Sequence, residues 1–263
     1  DGNDVTRSAV TGPPAIIYVD DDFAASGTVD GDLETTGTQT ATIGTNAFNS
    51  IAAALTAYPT FAGVLFVNGG TYATAPLTGG GGVTLRLLQD LVTVPNELDV
   101  TIQNLTGDAT DNITTRALNV ANANLIVEQG TFAGVVTGIG TLTKTTTGSL
   151  TLSGSNNYTG STTIAAGTIV VGANNALPNG PLVLGNAGTV GTLDLTNANQ
   201  TVTTLNVSSN INAANSIIIG SGRTLTTTGD VLLGVNVAAA ADTRLTVTGA
   251  GTWTANNTGA SGS

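Results

Sequence analysis

The chain has 263 residues, of which 9% are charged and 40% are hydrophobic, and its formal net charge is −11 with no histidine. This balance excludes a disordered chain, because disorder requires low hydrophobicity and high charge. It also argues against nucleic acid as a partner, because binding phosphates needs lysine and arginine. Without cysteine and histidine, there can be no disulfides, no thiol chemistry and no histidine-dependent catalysis.

Methionine is also missing from the sequence. We therefore expect a processed product or an excerpt of a longer chain, and removal of a secretory signal peptide would account for the missing residue. No apolar run approaches the ~20 residues of a membrane helix, so no membrane span is predicted. The expected location is extracellular or on the cell surface.

The amino-terminal part divides into a tail and a cap. Residues 1–14 are polar and end in two prolines, which is typical of a tail. Residues 15–82 are predicted to form an N-terminal cap and the first turn of a coil, beginning with an apolar strand at 15–19. The next two dozen residues after this strand read as loop.

A single helix is predicted over residues 47–58. Four apolar residues fall on one face at helical spacing, namely Phe48, Ile51, Leu55 and Tyr58. Thr45 or Asn46 is the expected cap, and Pro59 the expected stop. We expect this helix to cover the open apolar end of the coil.

Residues 83–263 follow a different and constant pattern. Aliphatic residues two apart alternate with threonine between Gly- and Asn-containing turns, as in Leu150 and Leu152, Ile169 and Val171, and Leu182 and Leu184. Such alternation places one face inward and one outward. The strands are short and numerous and have no helices between them, so we predict a parallel β-solenoid with about twenty residues per rung, each rung contacting its neighbours.

Residues 132–172, FAGVVTGIGTLTKTTTGSLTLSGSNNYTGSTTIAAGTIVVG, resemble the passenger-associated repeat of bacterial autotransporters. The matching positions are Phe132, Gly134, Gly138, Gly140, Leu142, Lys144, Gly148, Leu150, Leu152, Gly154, Asn157, Tyr158, Gly160, Thr163, Ile164 and Gly167. Thr146 stands where that family has a glycine. The order of IYVDDDF, NAFNSIAAAL and GVLFVNGGTY resembles the amino-terminal entry of pectin-lyase-like β-helices. Both resemblances imply an all-β, right-handed parallel β-helix with an N-terminal cap that contains one short α-helix.

The two resemblances differ in the function that they imply. Passenger repeats are mostly structural shafts of surface proteins and adhesins, whereas lyase-like helices are often polysaccharide-degrading enzymes. An enzyme requires a facing pair of carboxylates, and a carbohydrate-binding module requires an exposed row of aromatic residues; the sequence indicates neither. We therefore expect a non-catalytic structural or adhesive surface protein, with the enzyme and the binding module as alternatives and a cell-surface or polysaccharide receptor as partner.

The acidic residues near the amino terminus are candidate calcium ligands. Carboxylate oxygens are the ligands that Ca²⁺ prefers, and the candidates are Asp20, Asp21, Asp22, Asp30, Asp32 and Glu34. The alternative is a solvated acidic loop. No other cofactor is predicted.

Three residues are candidates for assembly. A solenoid that stops exposes strand edges, and the segment around Trp253 has no helix or charge to protect such an edge. Val5 and Val10 of the tail could add a strand to a neighbour's edge. This head-to-tail contact would not close, so it predicts filaments; the alternative is a longer passenger of which this chain is one part.

Overall fold

The computed structural model describes residues 14, 16–23, 26–30, 40–77, 83–87, 99–107, 109, 111–115, 124–186, 188–208, 215–235, 245–248 and 252–255. In chain order the elements are β1 (Ile16–Val19), β2 (Thr28–Asp30), β3 (Thr40–Thr42), β4 (Ala47–Phe48), α1 (Ile51–Ala57), β5 (Val64–Val67), β6 (Gly70–Pro76), β7 (Thr84–Leu87), β8 (Asp99–Gly107), β9 (Asn112–Thr114), β10 (Asn124–Phe132), β11 (Val135–Thr137), β12 (Leu142–Lys144), β13 (Ser149–Leu152), β14 (Thr162–Ile164), β15 (Gly167–Val171), β16 (Leu182–Leu184), β17 (Gly191–Leu195), β18 (Gln200–Val202), β19 (Leu205–Ser208), β20 (Asn215–Ile219), β21 (Thr224–Thr227), β22 (Val231–Val235), β23 (Leu245–Thr248) and β24 (Thr252–Ala255).

Apart from the antiparallel pair β2 and β3, the strands form a coil in which they pair in parallel with strands of neighbouring rungs. One sheet runs β4-β1-β5-β7-β9-β11, and a small sheet further along the chain runs β18-β21-β24. The largest sheet begins with β6, β8 and β10 and then divides into two arms, β12-β14-β16-β19-β22 and β13-β15-β17-β20-β23. The predicted parallel β-helix is confirmed; its right hand stays a prediction.

The interior of the coil is aliphatic, as the alternation predicted. Strands such as β17 bury every second residue, and the inward side chains stack in columns along the coil, as in Leu150, Ile169, Leu193 and Ile217. Outward positions are mostly threonine and other uncharged residues. Burial of these aliphatic columns is the main stabilising term of the fold, at about 25 cal/mol per Å² of apolar surface removed from water.

Rung length varies more than predicted. Leu142 pairs with Thr162 and Thr162 with Leu182, which gives the expected step of twenty residues. The step is only seventeen residues between Leu125 and Leu142, and it is thirty between Gly70 and Val100. The paired strands of the described part of the chain stay in register in spite of this variation, except for a shift between Val207 and Ser208 where β19 pairs with β22.

Helix α1 is shorter than the predicted span of 47–58. It begins after Ser50, whose side-chain oxygen accepts a hydrogen bond from the backbone N–H of Ala53 at 3.1 Å, so the prediction of Thr45 or Asn46 as cap was wrong. Ala47 and Phe48 form strand β4 beside β1 instead. The buried Phe48 fits a strand as well as a helix, so apolar spacing alone could not separate the two. The helix packs on β6, β4 and β1; that it covers the open end of the coil stays a prediction.

The region predicted as loop after Asp22 contains a two-stranded antiparallel sheet. Strands β2 and β3 pair through Val29 and Ala41. Ala41 packs with Tyr18 and Ala47 in a small second cluster, with Phe66 partly buried against it. The outer face of the first sheet is therefore partly covered at this end. Among the described residues, no helix is long and apolar enough to cross a membrane.

Candidate functional site

The acidic loop lies where β1 ends. Asp20 is fully buried; one carboxylate oxygen accepts the backbone N–H of Asp22 at 2.9 Å, and the other lies 3.3 Å from the side-chain nitrogen of Asn68. Asp21 accepts the backbone N–H of Thr71 at 3.0 Å, which fixes the start of β6. Asp22 is exposed. Asp20 and Asp21 therefore both accept hydrogen bonds from the backbone in the folded chain.

Three further candidate ligands follow along the chain. Asp30 ends β2, whereas Asp32 and Glu34 lie outside the described residues. Within the described part of the chain, no three acidic side chains come together as a metal site. One buried oxygen beside Asp20, Oδ1 of Asn68, has no hydrogen-bond partner among the described residues. Calcium binding stays a prediction.

The largest sheet divides at β10, and the dividing corner is built around a lysine. Residues Leu125–Val127 of β10 pair with β12, whereas Gly130–Phe132 pair with β13. Between β12 and β13 the chain turns at residues 145–148. Lys144, the last residue of β12, points inward at this corner and is fully buried.

The turn requires a left-handed backbone at Thr146. Its φ is 58°, a conformation that glycine adopts freely and a β-branched residue adopts only with strain. The resemblance predicted a glycine at this position. The Thr146 hydroxyl donates to the carbonyl of Glu128 at 3.1 Å, which offsets part of the strain.

Glycines of the repeat sit where successive rungs come into direct backbone contact. A Cβ at Gly154 would lie 1.8 Å from the carbonyl oxygen of Gly134, and one at Gly160 would lie 2.3 Å from that of Gly140. No side chain larger than hydrogen fits at those distances. The glycine positions of the sequence pattern are therefore explained by close stacking.

Two buried amides link successive rungs by side-chain hydrogen bonds. The Asn156 side chain accepts the backbone N–H of Val136 at 2.7 Å and donates to the carbonyl of Ala176 at 2.6 Å. It thus joins the rung before it to the rung after it. Gln200 instead bonds to the rung before it: it accepts the N–H of Leu177 at 3.1 Å and donates to the carbonyl of the same residue at 3.0 Å.

Tyr158 packs inside the same rung as Asn156. It is 1% exposed, and its hydroxyl lies 2.6 Å from the hydroxyl of Thr162. Burial raises the pKa of Tyr158 well above its usual value, although the bond to Thr162 opposes the shift. Tyr158 therefore packs in the interior of the coil, and a buried ring is not available to stack on a sugar.

One outward column keeps a neutral hydrogen-bonding side chain at every rung. We call it the hydroxyl–amide column: Thr74, Asn104, Gln129, Ser149, Thr168, Thr192 and Ser216. Ser149 continues the column after Gln129 because the next residues, Gly130 and Leu150, are paired. Its seven rungs span about 29 Å at ~4.8 Å per rung. All seven side chains are exposed or half-buried.

The columns beside it are interrupted. Two residues further along the same strands, Thr151 is followed by Val170, Asp194 and Ile218. On the other arm, Thr143 and Thr163 are followed by Val183. The hydroxyl–amide column is thus an uninterrupted polar line beside columns in which polar and aliphatic residues alternate.

The assembly candidates are only partly described. Val5 and Val10 lie outside the described residues. Trp253 belongs to β24 and pairs in register with the buried Leu225 of β21.

Comparison with known proteins matches the rung that contains Lys144. Residues 142–171 match the family model of the passenger-associated-transport-repeat. The chain therefore contains an autotransporter passenger repeat. The match covers β12 to β15, the corner, Asn156 and Tyr158.

A curated relative agrees with this finding. The chain is 38% identical over 114 residues to the adhesin BmaC autotransporter of Brucella suis biovar 1 (strain 1330). The matched stretch is 43% of this chain but 3% of the adhesin's length, so the chain spans only a small part of that relative. No solved structure matches the chain.

Sequence reasoning identified the passenger repeat but missed what its polar residues do. Lys144 was noted as a repeat position only, although it is the chain's single lysine and falls two residues after the inward Leu142. That alternation was the signal for its burial. Nothing local in the sequence marks Asn156 or Gln200, because their partners lie twenty or more residues away.

Proposed function

We propose that the chain is a segment of a secreted autotransporter passenger that serves as an adhesive shaft on the cell surface. The passenger repeat carries this proposal, and the similarity to an adhesin supports it. A coil whose rungs contact only their neighbours extends with each added rung. No catalytic role is proposed, because the carboxylates described in the repeat region, such as Asp194 and Asp230, are isolated in the sequence.

The hydroxyl–amide column is the surface that we propose for the receptor. None of its described side chains makes a hydrogen bond to another described residue, so their donors and acceptors are free for a ligand. The column carries no charge, which favours a neutral partner over an acidic or basic one. Its regular spacing suits a linear polymer, and we therefore propose a neutral polysaccharide on the target surface.

Charged substitutions on the column test this receptor surface. Beads coated with the chain are applied to a cultured cell monolayer, with soluble dextran as competitor. Replacing Thr168 and Thr192 by lysine should reduce bead binding at least about fivefold, equivalent to about 1 kcal/mol. The matched control replaces Thr201 and Thr226, outward neighbours on β18 and β21, and should bind like the unmodified chain. Equal binding of all three proteins would rule out the column.

We also propose calcium binding at the acidic loop. The buried Asn68 oxygen without a partner and the adjacent Asp20 carboxylate support an oxygen site for a hard cation. Replacing Asp22, Asp30 and Asp32 by asparagine should abolish any rise of the melting temperature on adding calcium. An Asp194→Asn variant should keep that response. If calcium does not change the melting temperature of the unmodified chain, the loop is only solvated.

Head-to-tail assembly through Val5 and Val10 is our proposal for self-association. A strand from the tail would extend an exposed parallel edge of a second copy. Electron microscopy compares the full chain with a form lacking residues 1–12. Filaments from both forms would show that the tail is not the link.

A further inference from the structure

Lys144 lies in an inward-facing column of the coil in which its neighbours are aliphatic. Val127 lies before it in register and Ile164 after it, and the column continues with Leu184 and Val207. A buried ammonium costs free energy unless hydrogen bonds replace its water. The side chain of Lys144 must therefore find its partners within the corner.

Those partners are backbone carbonyls of two successive rungs. The Nζ atom donates to the carbonyls of Thr145 and Thr146, the latter at 2.9 Å, and to that of Ala166 at 3.3 Å. Thr145 and Thr146 belong to the corner that divides the sheet, whereas Ala166 belongs to the equivalent corner of the next rung. An ammonium has three N–H donors, and three oxygens converge on it.

The surrounding backbone leaves room for the cation. A Cβ at Gly167 would lie 2.4 Å from the carbonyl oxygens of Gly148 and Thr146 and 2.9 Å from Nζ, so only glycine fits beside the cation. The left-handed Thr146 forms the opposite side of the corner. Burial lowers the pKa of the amine to about 8, although the field of the Glu128 carboxylate acts in the opposite direction. The oxygens in direct contact are those of the backbone.

We propose that this corner is a cation-binding site made of backbone oxygens, which the chain fills with its own ammonium group. The ammonium joins two rungs at the point where one sheet becomes two arms. If the Lys144 side chain were shortened, the three carbonyl oxygens would surround an empty space. A free ammonium or methylammonium ion would fit into that space. The ligand class is a small cation with N–H donors.

Chemical rescue tests the site. A Lys144→Ala variant should melt at a lower temperature than the unmodified chain, and ammonium or methylammonium chloride should recover part of the loss in a saturable manner. Tetramethylammonium chloride at equal ionic strength should not raise the melting temperature of this variant, because its cation has no N–H donors. A Lys144→Met variant fills the same space with an apolar side chain and should show no specific response. Equal effects of all three salts on Lys144→Ala would overturn the proposal.

If Lys144→Ala does not fold, the unmodified chain provides the test. Lys144 is the single lysine, so its acylation at pH 8 can be followed by mass spectrometry against the α-amino group. The α-amino group serves as an internal standard in the folded chain and in the urea-unfolded chain, so the change in relative rate reports access to Lys144. Relative to that standard, Lys144 should react at least roughly tenfold more slowly in the folded chain than in the unfolded chain, because reaction requires local opening; equal relative rates would contradict a closed site.

Discussion

The corners of the coil are stabilised by different chemical groups in the cap and in the passenger repeat. In the cap, carboxylates bind backbone N–H groups: Asp21 accepts the N–H of Thr71 at 3.0 Å, and Asp20 accepts that of Asp22 at 2.9 Å. In the repeat, glycines let backbones touch and the amide of Asn156 spans rungs. Carboxylates suit a corner that occurs once. Neutral groups suit corners stacked every 4.8 Å or so, where repeated like charges would repel each other.

Gly154→Ala should produce the largest loss of stability. Its Cβ would meet the Gly134 carbonyl oxygen at 1.8 Å, backbone against backbone, so the stack must shift. We expect the free energy of unfolding to fall by more than about 3 kcal/mol. The control is Gly180→Ala, whose nearest contact would be 3.5 Å, and it should stay within about 1 kcal/mol of the unmodified chain. Equal losses in urea titrations would mean that stacking distance does not explain the glycines.

Asn156→Ala should be the next most damaging change. It leaves the N–H of Val136 and the carbonyl of Ala176 without their partner in a buried setting. A loss of about 2 to 3 kcal/mol is expected. The adjacent Asn157 is exposed, and Asn157→Ala should change the unfolding midpoint little. A larger effect at Asn157 would contradict the bridging role.

Tyr158→Phe should cost about 1 to 2 kcal/mol at neutral pH, because it leaves the buried Thr162 hydroxyl unpaired. The cost should shrink at alkaline pH. The pKa of Tyr158 is raised in the folded state, so the unfolded chain loses its proton first, and the stability due to this group is lost as pH rises above the usual tyrosine value near 10. Denaturant midpoints of both proteins between pH 8 and 11.5 check the sign. A difference that grows with pH would refute it.

Asp21→Ala tests the cap side of the comparison. The loss of the acceptor for Thr71 at an exposed site should cost about 1 kcal/mol. Asp22→Ala removes a neighbouring charge without that bond and should have a smaller effect on the melting temperature. If the two variants have the same melting temperature, the Asp21 carboxylate does not contribute to the stability of the cap.

The smallest effect on the free energy of unfolding is expected for a substitution of Thr146, and this substitution should stabilise the chain. Asparagine tolerates left-handed backbone better than a β-branched residue does, so Thr146→Asn should relieve strain. Loss of the exposed bond to Glu128 reduces the gain to about 0.5 kcal/mol. Thr145→Asn, at a residue with ordinary backbone, is the control and should give no gain. Destabilisation by Thr146→Asn alone would show that the hydroxyl outweighs the strain.

The sequence predicted those features of the fold that depend on local patterns. Alternation was enough to predict strands such as β13 and β17, and the absence of crossover helices predicted the coil. The start of α1 could not be predicted, because Phe48 is buried in either a strand or a helix. The cation corner could not be predicted, because its oxygens come together only when Thr146 turns left-handed and the rung containing Ala166 stacks on it. The same holds for Asn156, whose two partners lie twenty residues away on either side.

The even step from β12 to β14 to β16 also has a consequence for how such a chain can evolve. Because Leu142, Thr162 and Leu182 occupy one column twenty residues apart, a duplicated segment of that length returns every following residue to the column that it left. Insertion or loss of a whole rung therefore changes the length of the coil while the neighbours keep equivalent contacts, whereas a change of one residue within a strand would turn its inward side chains outward. Tandem duplication and recombination can thus adjust reach in units of a single rung, without redesign of the interior.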